Sequence, residues 1–224
     1  MKNDHLDVDR LRAELMAAVL PHVPFDGWSA PAFAAAVADL GVDPGLAKVV
    51  CPRGALDLAV EYHRAGDRAM VAALAAEDLS GLKFRDRVAR AVRLRLEAVD
   101  PELVRRGAAV FALPQNAATG AGLIWGTADA IWLALGDTSR DYNYYSKRMT
   151  LAGVYSAVVL YWMGDESEGH AASWAFLEAR IGDVMQFEKI KGGVMKVPFV
   201  KSLLSGIRAP EPAPMPGRSG GASQ

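Results

Sequence analysis

The sequence predicts an all-α protein, a bundle of about nine helices. Alanine, leucine, arginine and glutamate, which favour helices, dominate the chain. Apolar residues recur at helical spacing, as at Leu11, Leu15 and Val19. Alternating runs of β-branched residues bounded by turn signals, which would indicate strands, do not occur. With 224 residues, of which 51% are hydrophobic, the chain is long enough to bury a sizeable core.

The first three helices have clear boundaries in the sequence. Asp7–Leu20 is amphipathic and ends at Pro21. Ser29 is a suitable N-cap for a second helix, Pro31–Leu40, and a glycine turn separates this helix from a short third one, Pro44–Val50. Helix-favouring segments then predict further helices at Arg53–Ala75, Leu82–Ala98, Pro101–Leu113, Asn116–Leu135 and Trp174–Phe187. Another helix is predicted from Thr138 onward, where Thr138 and Asp141 form a capping-box-like start.

Composition divides the chain into four parts. We expect residues 1–76 to form an N-terminal three-helix unit with a linking helix, and residues 77–190 to form a larger helical domain. Residues 191–208 are basic and carry apolar residues at helical spacing. Such a segment is typical of contact with anionic lipid headgroups, although docking on the chain's own domain explains the pattern equally well. Residues 209–224 are rich in Pro, Gly and Ser, which predicts disorder.

Charge and cysteine content exclude several classes of protein. The formal net charge of -1 gives no reason to expect that the protein as a whole binds nucleic acid. Cys51 is the only cysteine, so an internal disulfide and a multi-cysteine metal site are excluded. The N-terminus carries acids where a signal peptide needs a basic start, so we expect a cytoplasmic protein. The uncharged stretches 107–128 and 149–164 are broken by polar residues or too short to span a bilayer, and we expect buried or cavity-lining helices there.

Residues 27–50 have the layout of a helix-turn-helix. The would-be recognition helix offers a single base, Lys48, and no Arg, Asn or Gln to contact base edges, so we expect a scaffold that does not bind nucleic acid. A ligand-responsive transcriptional regulator is the main alternative. The region resembles the N-terminal part of TetR-family repressors, with matching residues at Gly27–Ser29, Ala36–Ala38, Gly41–Val42, Gly45 and Arg53–Leu56.

Catalytic and metal-binding patterns are weak. The four histidines are scattered, and the helical pairs that bring two ligands onto one metal do not occur. Glu166 and His170 are four residues apart but lie in a loop-like run, and Gly120, Gly122 and Gly126 have the wrong spacing for a nucleotide fingerprint. We therefore expect no catalytic residue, no metal and no cofactor. A free-standing enzyme, the third hypothesis, would have to use residues that form no recognisable motif.

The predicted helix Asn116–Leu135 and the helix after it are unusually apolar and aromatic. A helix that is apolar on most sides must be covered on most sides. The residues alone leave two explanations open, a core with a dimer interface or a tunnel for a hydrophobic ligand. The candidate lining residues are Phe111, Leu123, Ile124, Trp125, Ile131, Trp132, Val154, Val158 and Trp162.

The most distinctive stretch is IWLALGDTSRDYNYYSKRMTLAGVYSAVVLYWMGDESEG, which is followed by WAFLEARIGDVM. It closely resembles the hallmark block of the Coq-nine family of ubiquinone-biosynthesis accessory proteins, and Tyr142 replaces a phenylalanine that is usual there. The similarity covers roughly residues 10–190. The matching residues are Trp132, Gly136, Asp137, Ser139, Asp141, Asn143, Tyr145, Arg148, Leu151, Tyr155, Trp174, Phe176, Leu177, Arg180, Asp183 and Met185.

The resemblance implies a TetR-like fold in a homodimeric, non-catalytic lipid-binding protein. Its ligand would be an isoprenoid quinone or a phospholipid held by the candidate lining residues, and its partner the di-iron demethoxyubiquinone hydroxylase. We expect peripheral association with the cytoplasmic surface of the inner membrane through a C-terminal amphipathic helix. The implied membrane residues are Lys196, Phe199, Val200, Lys201, Leu203, Leu204 and Ile207.

Helical phase separates the tyrosines of the TSRDYNYYSKRM stretch. Tyr142, Tyr145 and Met149 share one stripe, which we expect to be core. On the helix surface Tyr144 falls between the basic residues Lys147 and Arg148. This arrangement favours an exposed contact patch, because Tyr and Arg are common anchors at interfaces. The predicted partner-contact residues are Asp141, Tyr144, Tyr145, Arg148 and Leu151.

Overall fold

The computed structural model describes residues 7–194, and the side chains of residues 7–184. Every regular element in that part of the chain is helical, so the predicted all-α fold is confirmed. A 3-10 turn, Glu168–His170, precedes the last helix. The ten α-helices of the described part are α1 (Val8–Val19), α2 (Val23–Asp26), α3 (Ala30–Asp39), α4 (Pro44–Val50), α5 (Ala55–Ala76), α6 (Phe84–Glu97), α7 (Pro101–Phe111), α8 (Ala117–Ala134), α9 (Tyr142–Trp162) and α10 (Ala171–Val194).

Side-chain caps fix the starts of the N-terminal helices. The Asp7 carboxylate accepts a hydrogen bond from the Arg10 amide at 3.0 Å. Ser29 accepts from the Ala32 amide at 3.3 Å, and Asp43 accepts from the Leu46 amide at 2.9 Å. Each cap satisfies an amide that has no partner inside the helix, a contribution of about 1 kcal/mol. The predicted cap at Ser29 and the predicted third helix are therefore confirmed.

The first apolar core lies among α1, α3, α4 and α5. Leu15 and Val19 of α1 are fully buried in it together with Leu58 of α5. Each such side chain contributes about 1.5–3 kcal/mol through removal of apolar surface from water. Trp28, just before α3, also belongs to this core, and its Nε1 donates to the backbone oxygen of Leu103 in α7 at 3.1 Å. This bond ties the helix-turn-helix to the rest of the protein.

The second apolar core lies among α5, α6, α8, α9 and α10. Its fully buried members include Met70 of α5, Val92 of α6 and Ile131 of α8. Since α5 contributes to both cores, and its 22 residues extend about 33 Å, this helix joins the two ends of the protein. The division of the chain near residue 76 stays a prediction.

Most predicted helix ends differ from the structure by one or two residues, and three larger differences concern α2, α9 and α10. The four-residue helix α2 was not predicted, because a segment of one turn has no periodicity to detect. The predicted start at Thr138 is wrong: α9 begins at Tyr142, and the Asp141 carboxylate accepts from the Asn143 amide at 3.0 Å. The residues before Asp141 are held outside the helix, since the Ser139 hydroxyl donates to Asp137 at 2.8 Å. The last helix, α10, begins three residues before the predicted start.

Several predictions concern residues outside the described part of the chain. They include the disordered tail at 209–224 and most of the amphipathic segment at 191–208, of which the structure describes only the backbone of residues 191–194 at the end of α10. In the described part, no helix is long and apolar enough to cross a membrane. The predicted membrane residues that lie outside the described part are Lys196, Phe199, Val200, Lys201, Leu203, Leu204 and Ile207.

Candidate functional site

An apolar cavity of about 310 Å³ lies where α5, α6, α7, α8 and α9 meet. Small residues create the space, among them Gly107 and Ala108 of α7 and Gly120 of α8. Larger apolar side chains such as Phe111 and Ile124 form its walls. Sites for small molecules commonly have volumes of about 300–1,000 Å³, so this cavity is at the lower end of that range.

The cavity has a buried side and an exposed side. Arg95, Tyr155 and Ala59 line it and are almost completely inaccessible to solvent. Leu160 also lines it and is 68% exposed. Ala112, the residue after the end of α7, lines it as well and is exposed. Exposed lining residues mark where the cavity meets the surface. A ligand would therefore enter beside Leu160 and extend toward Arg95.

A polar cluster adjoins the buried side of the cavity. Its members His63 and Arg95 line the cavity, whereas Asp67 and Thr127 do not. The Arg95 guanidinium donates through Nε to Asp67 at 2.6 Å and through Nη2 to the backbone oxygen of His63 at 2.9 Å. The Thr127 hydroxyl donates to Asp67 at 2.9 Å, and its oxygen lies 2.8 Å from His63 Nε2. The Thr127 hydroxyl oxygen also lies 3.2 Å from the backbone oxygen of Leu123, which is a second acceptor for its proton. The buried Nη1 atom of Arg95 has no hydrogen-bond partner.

Burial determines the charge states in this cluster. Desolvation, followed by the neighbouring Arg95 cation, lowers the pKa of His63 to about 4. Burial likewise raises the pKa of the Tyr155 phenol. At neutral pH the imidazole and the phenol are therefore both uncharged. The cluster contains one cation, Arg95, and one anion, Asp67, which compensate each other.

This cluster was not predicted from the sequence. His63 and Asp67 are four residues apart on α5, a spacing that places both on one helix face and could have indicated a site. Arg95 gave no comparable signal, because α6 carries five arginines and only the packing shows that this one is 1% exposed. Thr127, on α8, was treated as part of an apolar stretch.

The predicted lipid-binding residues divide into groups. Three residues line the cavity: Phe111, Leu123 and Ile124. Three others do not line it, because they are packed inside the second core: Ile131, Val158 and Trp162. Apolar periodicity predicts which residues avoid water, but it does not distinguish a filled core from the wall of a cavity.

The remaining predicted lipid-binding residues lie away from the cavity. Trp132 and Val154 line a second recess of about 240 Å³, where Phe84 stacks on the Trp132 ring at 5.5 Å. Lys147 also lines this recess, and its ammonium lies 5.2 Å from the centre of that ring. Trp125 lines neither space, and its ring packs 6.3 Å from that of Tyr145.

The exposure expected for the contact patch on α9 is wrong for two of its members. Leu151 is buried in the second core, and Arg148 is 1% exposed. The Arg148 guanidinium donates to Asp129 at 2.5 Å and lies 3.6 Å from the centre of the Tyr144 ring. Arginine is rarely buried without partners. The partners here, Asp129 and Asp137, lie outside α9, so the helical spacing within α9 does not predict them.

The other three predicted contact residues are more accessible. Asp141 is exposed at the N-terminus of α9, whereas Tyr144 and Tyr145 are half-buried, with ring centres 5.1 Å apart. A contact role for these three residues stays a prediction.

The stripe of Tyr142, Tyr145 and Met149 is not core. Met149 is 65% exposed, and both tyrosines are half-buried. The predicted inward face of α9 was wrong because the first residue that the helix buries is the charged Arg148, and hydrophobicity assigns a charged residue to the surface. The face that α9 buries consists of Arg148, Leu151, Tyr155, Val158 and Trp162.

Polar residues of the distinctive block hold α8, α9 and the loop between them together. Asp137 accepts hydrogen bonds from Lys147 at 2.7 Å, from Ser139 at 2.8 Å and from Arg148 at 3.1 Å. Burial by itself would raise the pKa of Asp137, but these donors lower it to about 2. The block therefore specifies a buried ionic network. This structural role explains the presence of Asp137, Ser139 and Arg148 in the block, and it needs no catalytic function.

The helix that would read DNA in a repressor is α4. Lys48 and Val49 are exposed on it, whereas Val50 and the adjacent Cys51 are buried. Burial raises the pKa of the Cys51 thiol, so this side chain behaves as a small buried apolar residue. The expectation that the protein does not bind nucleic acid stays a prediction.

Metal-ligand geometry does not occur among the described side chains. Within residues 7–184, no three His, Cys, Asp or Glu side chains are close enough together to hold a metal ion. The weak candidate pair Glu166 and His170 is not brought together, since His170 Nδ1 lies 4.0 Å from Asp165 instead.

The helical architecture defines a TetR-like fold. A solved structure of a TetR transcriptional regulator from Nitrosomonas europaea superimposes with a TM-score of 0.64 over 78% of this chain and 97% of the regulator. The two sequences are 17% identical, so the similarity establishes the fold and does not extend to function. The predicted TetR-like bundle is thus confirmed.

Within that fold class, residues 117–188 match the model of the COQ9 family. The ubiquinone biosynthesis protein COQ9 of Drosophila melanogaster is 30% identical over 187 residues, or 81% of this chain and 57% of the relative. The human COQ9 protein is 28% identical over 82% of this chain and 60% of its own length. The chain therefore spans about three fifths of these relatives, which are named as mitochondrial proteins. The predicted resemblance to the Coq-nine family is confirmed.

Proposed function

We propose that this protein is a lipid-binding accessory protein of ubiquinone biosynthesis. In this proposal it binds an isoprenoid quinone intermediate in the apolar cavity and presents it to the demethoxyubiquinone hydroxylase at a membrane surface. The observation that carries the proposal is the cavity of about 310 Å³, whose α8 wall lies in the segment that matches the COQ9 family. The names of the COQ9 relatives supply the pathway.

The chemistry of the cavity supports a hydrophobic ligand. Its walls are formed mainly by Ala, Val, Leu, Ile and Phe side chains. Apolar surface that a ligand buries there contributes about 25 cal/mol per Å². Arg95 and Thr127 both donate to the Asp67 carboxylate, and only Nη1 of Arg95 is without a partner in this cluster. None of these groups is arranged as a nucleophile next to a free base. Such a cavity is suited to holding a ligand, and the proposal assigns the chemical step to the partner enzyme.

The exposed side of the cavity supports a presenting role. Leu160 lines the cavity and is 68% exposed, and the adjacent Tyr161 is 44% exposed. A membrane or a partner enzyme that covered these residues would also cover the opening. We include peripheral membrane association and a homodimer in the proposal, both of which follow from the resemblance to the family.

Extraction of the purified protein tests lipid binding directly. We expect mass spectrometry of the organic phase to detect an isoprenoid or phospholipid in a fixed ratio to the protein. Ala108→Phe, which places a large side chain into the cavity, should reduce that ratio severalfold. Ala109→Phe adds the same side chain to the exposed side of α7 and should leave it unchanged. Absence of any lipid above background in the wild type would refute the proposal.

The place in the pathway requires a separate measurement. In cells that lack the gene, we expect ubiquinone to fall and demethoxyubiquinone to accumulate. Re-expression of the wild type and of Ala109→Phe should reverse both changes, and Ala108→Phe should not. Normal ubiquinone in the deleted cells would contradict the assignment to this pathway, whatever lipid the protein binds.

A further inference from the structure

The second recess, of about 240 Å³, lies among α6, α8, α9 and α10 and shares no lining residue with the apolar cavity. Its base is apolar, because Val88 of α6, Leu151 of α9 and Ile181 of α10 line it and are buried. Its outer part includes Phe84, which is 48% exposed, and Asn143, which is exposed. A ligand can therefore enter from solvent and place an apolar group against the base.

Two cations line the second recess, and both are accessible to solvent. The Lys147 side chain is 37% exposed, and the Arg85 side chain is 53% exposed. The Lys147 ammonium has three protons and donates two of them, to Asp137 and to Ser139, both at 2.7 Å. Arg85 donates through Nε to its neighbour Asp86 at 3.2 Å, and the described contacts leave its two outer nitrogens available. Each cation therefore retains a donor for a ligand.

The charges around the second recess favour an anionic headgroup. Among the described residues that line it, none is acidic. Asp137, the carboxylate that pairs with Lys147, is 6% exposed and lies outside the lining. A carboxylate bound here would accept hydrogen bonds from two charged donors, and such bonds are stronger than those between neutral groups. An ammonium headgroup would be repelled, and a hydroxyl would gain less than a carboxylate.

We infer that the second recess is a binding site for a medium-chain fatty acid. The alkyl chain packs against Val88, Leu151 and Ile181, and the carboxylate lies at Lys147 and Arg85. The volume of about 240 Å³ is below the range of about 300–1,000 Å³ that is common for small-molecule sites, so the recess suits a compact ligand. The site is separate from the apolar cavity, and the inference does not rest on the proposed function.

Calorimetric titration with octanoate, octanol and octylamine tests the headgroup class. The three probes have the same alkyl chain and differ in charge at neutral pH. An accessible ion pair is worth up to about fivefold in affinity, and the recess offers two cations, so octanoate should bind about fivefold more tightly than octanol. Octylamine should bind more weakly than octanol. Equal affinities of octanoate and octanol would overturn the assignment of a carboxylate.

Substitutions in the two spaces locate the bound octanoate. Thr150→Trp fills the second recess and should reduce the affinity for octanoate severalfold. Met149→Trp adds the same side chain at the next position, which is 65% exposed and outside the lining, and should bind octanoate as the wild type does. Ala108→Phe, which fills the apolar cavity, should also leave this affinity unchanged. Loss of octanoate binding in Ala108→Phe alone would place the ligand in the apolar cavity and overturn the inference.

Arg85→Gln tests the position of the carboxylate without changing the core. The preference for octanoate over octanol should fall severalfold, and the affinity for octanol should stay the same. Arg10→Gln removes a guanidinium whose side chain is 76% exposed on α1, outside the recess, and should retain the preference. An unchanged preference in Arg85→Gln would overturn the placement of the carboxylate.

Two further outcomes remain decisive. If Thr150→Trp does not fold, Arg85→Gln and Ala108→Phe still distinguish the second recess from the apolar cavity. Absence of octanoate binding to the wild type would refute the inference. It would leave the proposed function unaffected, because that function concerns the other cavity.

Discussion

The Nη1 atom of Arg95 lies only 2.5 Å from the position that a Cβ atom on Gly66 would occupy. The Cζ atom of the same guanidinium lies 2.7 Å from that position, and Val99 Cγ1 lies 2.9 Å from it. Atoms do not approach a real Cβ this closely. Gly66 on α5 is thus the residue that allows Arg95 of α6 to reach Asp67 and the buried side of the cavity.

Gly66→Ala should therefore destabilise the protein, even though alanine favours helices. The helix preference would contribute about 1 kcal/mol of stability. Against it, the methyl group displaces a guanidinium that two hydrogen bonds hold, and overpacking of a buried site typically costs about 1–3 kcal/mol. We expect a net loss of about 1 kcal/mol in urea unfolding.

Gly122→Ala is the matched control. Gly122 lies within α8, and a Cβ atom there would meet no atom within 4 Å. The same substitution should stabilise the protein by up to about 1 kcal/mol. If both variants were stabilised equally, the close approach of Arg95 to Gly66 would not exist in solution.

His63 should make stability depend on pH between about 4 and 6.5. The pKa of His63 is about 4 in the folded protein, whereas an unfolded histidine has a pKa near 6.5. In this range the unfolded chain binds the extra proton, so stability is complete above about pH 6.5 and falls as the pH decreases toward 4. Between pH 7.5 and pH 5 the loss should be about 2 kcal/mol.

Denaturant unfolding of the wild type and of His63→Gln at the two pH values isolates this contribution. The variant should lose about 2 kcal/mol less than the wild type over the same interval, because glutamine does not titrate. Equal losses in the two proteins would mean that His63 is accessible to protons in the folded state, and would contradict the buried cluster.

The fold was predictable because its determinants are local. The N-cap at Ser29 and the boundaries of α4 follow from residue types that act within one helical turn. The start of α9 was not predictable from local residue types, because both Thr138 and Asp141 are good N-caps. Which one begins the helix is decided by contacts of Asp137 with Lys147 and Arg148, ten and eleven residues away.

The candidate site was predictable only in part. Phe111, Leu123 and Ile124 belong to apolar stretches, so a pattern of hydrophobicity finds them. Arg95 and Asp67 come from different helices and meet only in the folded protein, and no spacing in the sequence brings them together. For the same reason the buried Arg148 was assigned to the surface.

Arg148→Met should strongly destabilise the protein. Arg148 is 1% exposed, and the side chain of its partner Asp137 is 6% exposed. Loss of the cation leaves buried carboxylate charge that is only partly compensated by Lys147, and breaking such a pair typically costs about 3–5 kcal/mol. We expect a loss in this range in urea unfolding.

Arg180→Met removes an arginine of the same block from an exposed ion pair with Asp183, 2.9 Å away. Exposed pairs contribute at most about 1 kcal/mol, so this control should change stability little. Similar losses for the two variants would show that Arg148 is solvated and that the ionic network is not buried.

Tyr144→Ala should weaken capture of the demethoxyubiquinone hydroxylase while the protein remains folded. Tyr144 is half-buried, and its ring lies against the Arg148 guanidinium, so its loss should cost about 1–2 kcal/mol of stability. Co-purification is therefore measured at a temperature where circular dichroism shows the variant to be folded. Val49→Ala truncates a residue that is 72% exposed on α4 and should capture the enzyme as the wild type does. Undiminished capture by Tyr144→Ala would exclude this surface of α9 as the contact.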